Sequence, residues 1–298
     1  MTRGGTILGA RNRGQFTAKV GHGEAKRISI DVLDSAKRGC EALGLSALVC
    51  IGGDGSLSIA QQLYEHGIPI VGVPKTIDND LAATAMTFGF DSAVACATDA
   101  LDRLHTTAES HQRVIVLEVM GRYAGWIAIY AGIAGGADVI LIPEIPFRYE
   151  GICQKIAERE QAGRHFSIVV AAEGARAEGG EFVTSGVQEQ NREARLGGAG
   201  AHIAAEIERR TGKETRAVVL GHLQRGGGPT NFDRALCTIF GTTAVELVAQ
   251  QRFGQMVIYT GAQVASVALT EAIGQLRRVP LDGGFVQAAR ALGICLGD

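Results

Sequence analysis

The sequence predicts an α/β protein built on parallel, doubly wound sheet, and three observations lead there. Short apolar runs rich in Val and Ile recur along the chain. A glycine-containing turn follows each run, and after the turn comes a segment with apolar residues at helical spacing. The 298 residues are enough chain for about two domains with cores of their own.

The elements run in order as follows. Ala47–Ile51 and Ile68–Val73 are the first two strand candidates, with a helix candidate, Leu57–Tyr64, between them. Ser92–Leu104 places Ala93, Val94, Ala97, Ala100, Leu101 and Leu104 on one helix face. Strand candidates follow at Val114–Val119, Val139–Ile142 and Ser167–Ala171. Ala175–Gly198 breaks the rhythm. It is polar, of mixed charge and contains Gly179-Gly180, so it reads as an exposed loop. Helix Ala199–Ile207, strand Arg216–Leu220 and helix Ala235–Val248 then resume the alternation. Sheets of this kind bind ligands at the carboxyl ends of their strands. There is no repeat at solenoid period and no low-complexity tract.

Composition narrows the function. Hydrophobic residues make up 46% and charged residues 20%, and the net charge is −2, which argues against nucleic acid or an anionic membrane as partner. Six cysteines lie far apart with no Cys-x-x-Cys pair, so neither a zinc site nor a disulfide scaffold is expected. The longest uncharged stretch, Tyr123–Ala137, is bounded by Arg122 and Asp138 and falls short of the ~20 residues of a membrane span. Met1-Thr2-Arg3 leads directly into Gly4-Gly5 with no signal peptide visible. A cytoplasmic protein with reduced thiols is expected. Glycine is the unusual count, 41 residues, mostly clustered between apolar runs where backbone turns close on a ligand.

Three groups of residues carry the chemistry. Gly52-Gly53-Asp54-Gly55-Ser56 follows the first strand candidate, where glycines let backbone N–H groups reach a phosphate and the helix start adds positive potential. Asp54 suits Mg²⁺ bound to that phosphate. The ordinary alternative is a tight turn in which Asp54 or Ser56 caps the helix. Pro74-Lys75-Thr76-Ile77-Asp78-Asn79-Asp80 follows the second strand candidate. Phosphoryl transfer needs an acceptor for the attacking hydroxyl's proton and a cation against phosphate charge. Asp78 or Asp80 suits the first role and Lys75 the second, with turn-forming Asp and Asn as the alternative. Finally, Arg113, Arg122, Arg216 and Arg225 recur at strand ends, read as equivalent topological positions, with His222 beside Arg225. Guanidinium groups take phosphate through paired donors, so a sugar phosphate accounts for the set. Glu173 at a strand end suits sugar hydroxyls, a solvated strand end being the alternative.

These segments in this order resemble the phosphofructokinase family: Gly4-Gly5-Thr6-Ile7-Leu8-Gly9, Gly52–Ser56, Pro74–Asp80, Ser110–Arg113, Met120–Trp126, Glu173 and Arg216–Asp233. NAD and lipid kinases carry a similar Gly-Gly-Asp-Gly but neither Met-Gly-Arg nor Gly-His-Leu-Gln-Arg-Gly-Gly. The resemblance implies two doubly wound, parallel-sheet (Rossmann-like) domains with the active site in the cleft between them. Residues 1–88 with 229–276 would hold the phosphoryl donor, and 89–228 with 277–298 would hold fructose 6-phosphate. It implies transfer of a phosphoryl group from ATP to the C1 hydroxyl of that sugar, as in glycolysis. Asp78 would be the base, Asp54 the Mg²⁺ ligand, and Gly52, Gly53, Gly55 and Ser56 would line the donor phosphates. Thr76, Met120, Gly121, Arg122, Glu173, His222 and Arg225 would bind the sugar phosphate, with Arg122 and Lys75 also serving the transferring group. Arg113 and Arg216 would reach a neighbouring subunit's site, which implies a homo-oligomer, dimer or tetramer, with shared active sites.

Two departures from the family pattern qualify these expectations. The family begins with a strand and a turn of the form Gly-Gly-Asp-x-Pro-Gly-x-Asn before the segment matched by Gly4-Gly5-Thr6. Here that segment is missing, so the donor domain is expected to be incomplete at its N-terminus. Residues 1–298 are then expected to turn over poorly and to bind fructose 6-phosphate better than ATP. The arginine that bridges the transferring phosphates is Arg11 or Arg13, and the Asn12-Arg13-Gly14 context favours Arg13. For the donor, Gly55 leaves room for an α-phosphate where an Asp would repel it. Lys75 is the residue type of pyrophosphate users, but the mixed Gly/Lys pair resembles ATP users. ATP is expected, with pyrophosphate as the alternative. An inactive sugar-phosphate-binding homologue is a further alternative, and an NAD or lipid kinase would rest on Gly52–Ser56 alone.

Overall fold

The computed structural model describes residues 4–9, 16, 27–184 and 196–298. Along the chain come α1 (Ile30–Ala42), β1 (Leu48–Gly52), α2 (Asp54–Glu65), β2 (Ile70–Thr76), β3 (Phe88–Gly89) and α3 (Phe90–His111). Next are β4 (Val114–Val119), α4 (Trp126–Ala134), β5 (Val139–Leu141), α5 (Tyr149–Gln161), β6 (Ser167–Ala172), α6 (Ala199–Thr211) and β7 (Thr215–Val219). A 3₁₀ turn at Gly221–Arg225 precedes α7 (Asn231–Ala249), β8 (Gln255–Tyr259), β9 (Val264–Ala268), α8 (Leu269–Ala272) and α9 (Gly284–Ala291). The chain divides into two compact units, one of Met1–Asp91 with Gly228–Arg277, the other of Ser92–Gly227 with Arg278–Asp298.

In the first unit the strand order is β1-β2-β8-β9, with the short β3 also paired to β2. Alternation along the strands sends side chains to both faces. Ile70, Met256 and Ile258 pack under Leu57, Ala60 and Leu63 of α2 and Leu269 and Ala272 of α8. Val71, Val73 and Val257 pack against Leu236, Phe240, Ala244 and Leu247 of α7. Each such fully buried side chain is worth ~1.5–3 kcal/mol relative to exposure, so both faces need their helices.

In the second unit the order is β5-β6-β4-β7 and every pairing is parallel. Val114, Val116, Val169 and Ala171 meet Ile152 and Ile156 of α5 and Ile203 and Ile207 of α6. On the opposite face α4 lies so close that a Cβ on Gly132 would come within 2.5 Å of Ile140. A carboxylate is sealed in this sheet, that of Glu118 of β4, 3% exposed. Its carboxylate accepts from the Gly198 N–H (3.2 Å) and the Gly200 N–H (2.7 Å) at the start of α6, so a strand residue caps a helix 80 positions away.

The sequence reading needs correcting in several places. The sheet of the first unit is mixed, because β8 and β9 are antiparallel. Their alternating runs lie beyond the last segment singled out, Ala235–Val248. β2 continues through Pro74, Lys75 and Thr76, which β1 and β3 hold by pairing at Gly52↔Pro74 and Lys75↔Phe88. α4 was read only as an uncharged stretch. It is buried on nearly every side and so lacks the one-sided apolar pattern that marks a helix. Of Ala175–Gly198, the described part is not all loop surface: Ala175 is buried, Phe147 bridges to Ala177 and Thr184 to Leu196. Among the described residues no helix is long and apolar enough to cross a membrane, and all six cysteines are free.

Candidate functional site

In the first unit, two motifs leave the carboxyl ends of adjacent strands. Gly53 is the N-cap of α2, and no side chain caps the helix. Asp54, Gly55 and Ser56 are therefore its first turn, and the alternative in which Asp54 or Ser56 caps it is not what the chain does. The amides of that turn have no partner within the helix and form a seat for an anion. Gly52 has to be glycine, since a Cβ there would fall 2.4 Å from the Ser56 Cβ. Asp54 accepts from the Gly274 N–H (3.3 Å).

The seat adjoins the second motif: a Cβ on Gly53 would lie 3.4 Å from the Thr76 Cβ, the last residue of β2. Lys75 is exposed, while Asp78, Asn79 and Asp80 are buried. Thr76 Oγ1 donates to Asp78 Oδ2 (3.4 Å) and accepts from the Asp78 N–H (3.2 Å), which orients the carboxylate. The loop is held from outside as well. Asn79, at a left-handed φ of 52°, accepts from the Thr87 N–H through Oδ1 (3.0 Å). Arg277 donates through its backbone to the Asp80 carbonyl (2.8 Å) and through its guanidinium to the Asn79 carbonyl (3.1 Å). Thr87 and Arg277 were missed in the sequence because both stand in unremarkable contexts, and Arg277 lies 198 positions from the residue it holds.

In the second unit, three adjacent strands deliver the remaining groups at their carboxyl ends. Met120, Gly121 and Arg122 follow β4, Glu173 follows β6, and His222 and Arg225 sit in the 3₁₀ turn after β7. His222 and Arg225 are exposed. The turn at Gly121 and Arg122 has φ values of 136° and 52°, and an arginine in the left-handed region is uncommon. Its amides are taken by side chains: the Met120 N–H donates to Gln224 Oε1 (2.8 Å) and the Arg122 N–H to Glu173 Oε1 (3.0 Å). The Gly125 N–H donates to both oxygens of Glu144 (3.0 and 3.1 Å). Burial raises the Glu144 carboxyl above its usual range, and these backbone donors oppose the shift. Glu173 is thus a buried acceptor of main-chain hydrogen bonding and not a solvated strand end.

Arg113 and Arg216 do not join this group. Arg113 precedes β4 and Arg216 is the second residue of β7, so both lie at the amino ends of parallel strands. Arg122 and Arg225 lie at the other end, roughly 20 Å away at ~3.3 Å per residue. The four arginines are therefore not topologically equivalent: Arg113 and Arg216 stand where their strands begin, whereas Arg122 and Arg225 follow strands that have ended. Arg113 and Arg216 share Glu214 (2.8 and 2.5 Å), and the hydrogen bond from Arg113 holds that carboxyl below its ordinary range. Arg13 lies outside the described residues, as does Arg11.

The phosphofructokinase family matches residues 1–248. An ATP-dependent 6-phosphofructokinase of Chloroflexus aurantiacus is 51% identical over all of this chain and 81% of its own length. A pyrophosphate–fructose 6-phosphate 1-phosphotransferase of Amycolatopsis methanolica is 50% identical over 94% of this chain and 79% of its own. Among solved structures, a phosphofructokinase of Saccharomyces cerevisiae superposes with a TM-score of 0.75 at 28% identity, over 91% of this chain and 36% of that longer one. With a family match over most of its length and relatives at half identity, the chain belongs to the phosphofructokinase family.

Proposed function

We infer that the chain is a 6-phosphofructokinase that moves a phosphoryl group from ATP to the C1 hydroxyl of fructose 6-phosphate, a step of glycolysis in the cytoplasm. One observation carries the reading: an uncapped helix start, suited to phosphate, lies directly against the Thr76–Asp78 loop with its oriented carboxylate. A phosphate seat beside a base is what this transfer needs.

In this reading Asp78 accepts the C1 hydroxyl proton, held in place by Thr76. Gly52, Gly53, Gly55 and Ser56 line the donor phosphates, and Lys75 and Arg122 offset charge on the transferring group. Arg13 is proposed to bridge the phosphates. Met120, Gly121, Arg122, Glu173, His222 and Arg225 bind the sugar phosphate, and Thr76 contacts the sugar. Residues 1–88 with 229–276 then form the donor domain, and 89–228 with 277–298 the sugar-phosphate domain. The transfer requires a divalent metal. Asp54 fits Mg²⁺, which takes one or two carboxylates and fills its shell with waters and substrate phosphates. Among the described residues no cluster of three ligating side chains competes for that role. When bound, the ion neutralises charge on the donor phosphates.

Arg113 and Arg216 are proposed to serve a neighbouring subunit in a homo-oligomer, since they stand too far from their own chain's sugar site.

Steady-state assays with fructose 6-phosphate and either ATP or pyrophosphate test the reading. Turnover with ATP supports it. Turnover with pyrophosphate alone would establish the second reading, which Lys75 and the Amycolatopsis relative favour, and turnover with neither would sink both. A local variant probes the sugar half. A Cβ on Gly174 would lie 2.0 Å from the Arg122 carbonyl, so Gly174→Ala must displace the turn that carries Arg122. It is expected to lower kcat/KM for fructose 6-phosphate by about 10²-fold, the cost of an ångström-scale misplacement, with KM for ATP little changed. Kinetics in which the two substrates suffer equally would show that the turn does not address the sugar.

A further inference from the structure

We propose that Gln224 is a positioning residue for sugar-phosphate recognition. Its carboxamide ties the turn carrying Arg122 to the turn carrying His222 and Arg225, so that these side chains meet the substrate as one preset group. The inference rests on reading this half of the chain as the fructose 6-phosphate site.

Burial in the 3₁₀ turn runs against side-chain polarity. Gln224 is 3% exposed, while Leu223 beside it is 69% exposed. Gln224 is the only residue of that turn to be buried. A long amide placed inside while a leucine faces outward needs a reason beyond packing. Its Oε1 supplies one, accepting from the Met120 N–H at 2.8 Å across 104 positions. Its Nε2, in contrast, has no hydrogen-bond partner among the described residues. An apolar side chain of the same length would avoid that penalty, so the acceptor is what the site retains.

Sheet order gives the contact its meaning. β4 runs between β6 and β7, and the turn leaving β4 is grasped from both sides. On the β6 side the Glu173 N–H donates to the Val119 carbonyl (2.8 Å) and Glu173 Oε1 receives the Arg122 N–H. On the β7 side the Leu220 N–H donates to the Glu118 carbonyl (3.1 Å), and Gln224 then continues the ladder by one side-chain bond. Without Gln224 the strained Gly121–Arg122 conformation keeps its grip on the β6 side only. The segment bearing His222 and Arg225 would lose its bond to Met120, at the start of the turn that carries Arg122.

The test uses Gln224→Met, which removes the acceptor at similar length, and Gln224→Glu, which keeps one. KM for fructose 6-phosphate and for ATP, the melting temperature, and hydrogen exchange at the Met120 amide are measured on both variants and the parent chain. Gln224→Met is expected to raise KM for fructose 6-phosphate about tenfold, the cost of one lost hydrogen bond to a buried amide. KM for ATP should change by less than about twofold, and exchange at Met120 should quicken about tenfold by the same cost. Gln224→Glu should restore both. An unchanged fructose 6-phosphate KM in Gln224→Met overturns the proposal. So does a parallel rise in both KM values accompanied by a lower melting temperature, which is the mark of general structural support. A folded Gln224→Glu that restores neither quantity also overturns it. If Gln224→Glu does not fold, the split between the two KM values in Gln224→Met decides alone. A parent chain that ignores fructose 6-phosphate counts against the proposed function. Unchanged Met120 exchange in Gln224→Met counts separately against the tie itself.

Discussion

Asp78→Asn is expected to lower kcat by about 10²–10⁴-fold, the usual cost of losing a positioned general base, while fructose 6-phosphate binding stays within about tenfold. The two effects separate because the charges that hold the substrate phosphate are elsewhere. In the proposed site Arg122 and Arg225 hold it through guanidinium donors, and the substitution leaves both in place. The substitution is nearly isosteric. Thr76 can still bond an amide oxygen at that position, and Asn79, Thr87 and Arg277 go on holding the loop. Stability should therefore change little, and lost turnover can be assigned to chemistry. Stopped-time turnover together with calorimetric titration of fructose 6-phosphate measures both quantities. A variant with parental kcat would remove Asp78 from the role of base and direct attention to Asp80, which is buried in the same loop.

Gly55→Asp is expected to lower kcat/KM for ATP by on the order of 10²–10³-fold while changing pyrophosphate use far less. Gly55 is the second residue of α2, in the turn proposed to receive the donor phosphates. A carboxylate there meets the α-phosphate of ATP at short range. Two like charges about 4 Å apart at an effective dielectric near 20 repel by about 4 kcal/mol, which sets the upper end of the expected loss. Pyrophosphate has no third phosphate to meet the new charge. Kinetics with each donor at saturating fructose 6-phosphate measure the ratio. An equal loss for both would mean that residue 55 does not read the donor, and the choice between ATP and pyrophosphate would have to be sought at Lys75.

What could be read in advance depended on whether a residue's role was local. β4 was delimited correctly as Val114–Val119 because all six residues are buried, with Arg113 just before the run and the Gly121-Arg122 turn shortly after it. The glycine turn before α2 was legible because phosphate seats need small residues at fixed offsets from a strand. Gln224 was not, since a 3₁₀ turn five residues long has no periodic pattern to separate an inward side chain from an outward one. Arg113 and Arg216 were misplaced for a different reason: they were grouped with Arg122 and Arg225 as strand-end residues, although chain order puts them at the start of their strands. Arg216 was taken as the first residue of a strand that in fact begins at Thr215. The supports of the Asp78 loop, Thr87 and Arg277, act through contacts up to 198 positions apart, and no local pattern marks them.

The carboxylate of Glu118 has a consequence for how the second unit folds. β4 is the central strand there, and it cannot be enclosed until something donates to that side chain, because an unanswered buried acceptor costs ~1–3 kcal/mol and a charged one more. Its donors are the amides of Gly198 and Gly200, which converge only once the first turn of α6 has wound. Enclosure of β4 and winding of the first turn of α6 therefore support one another.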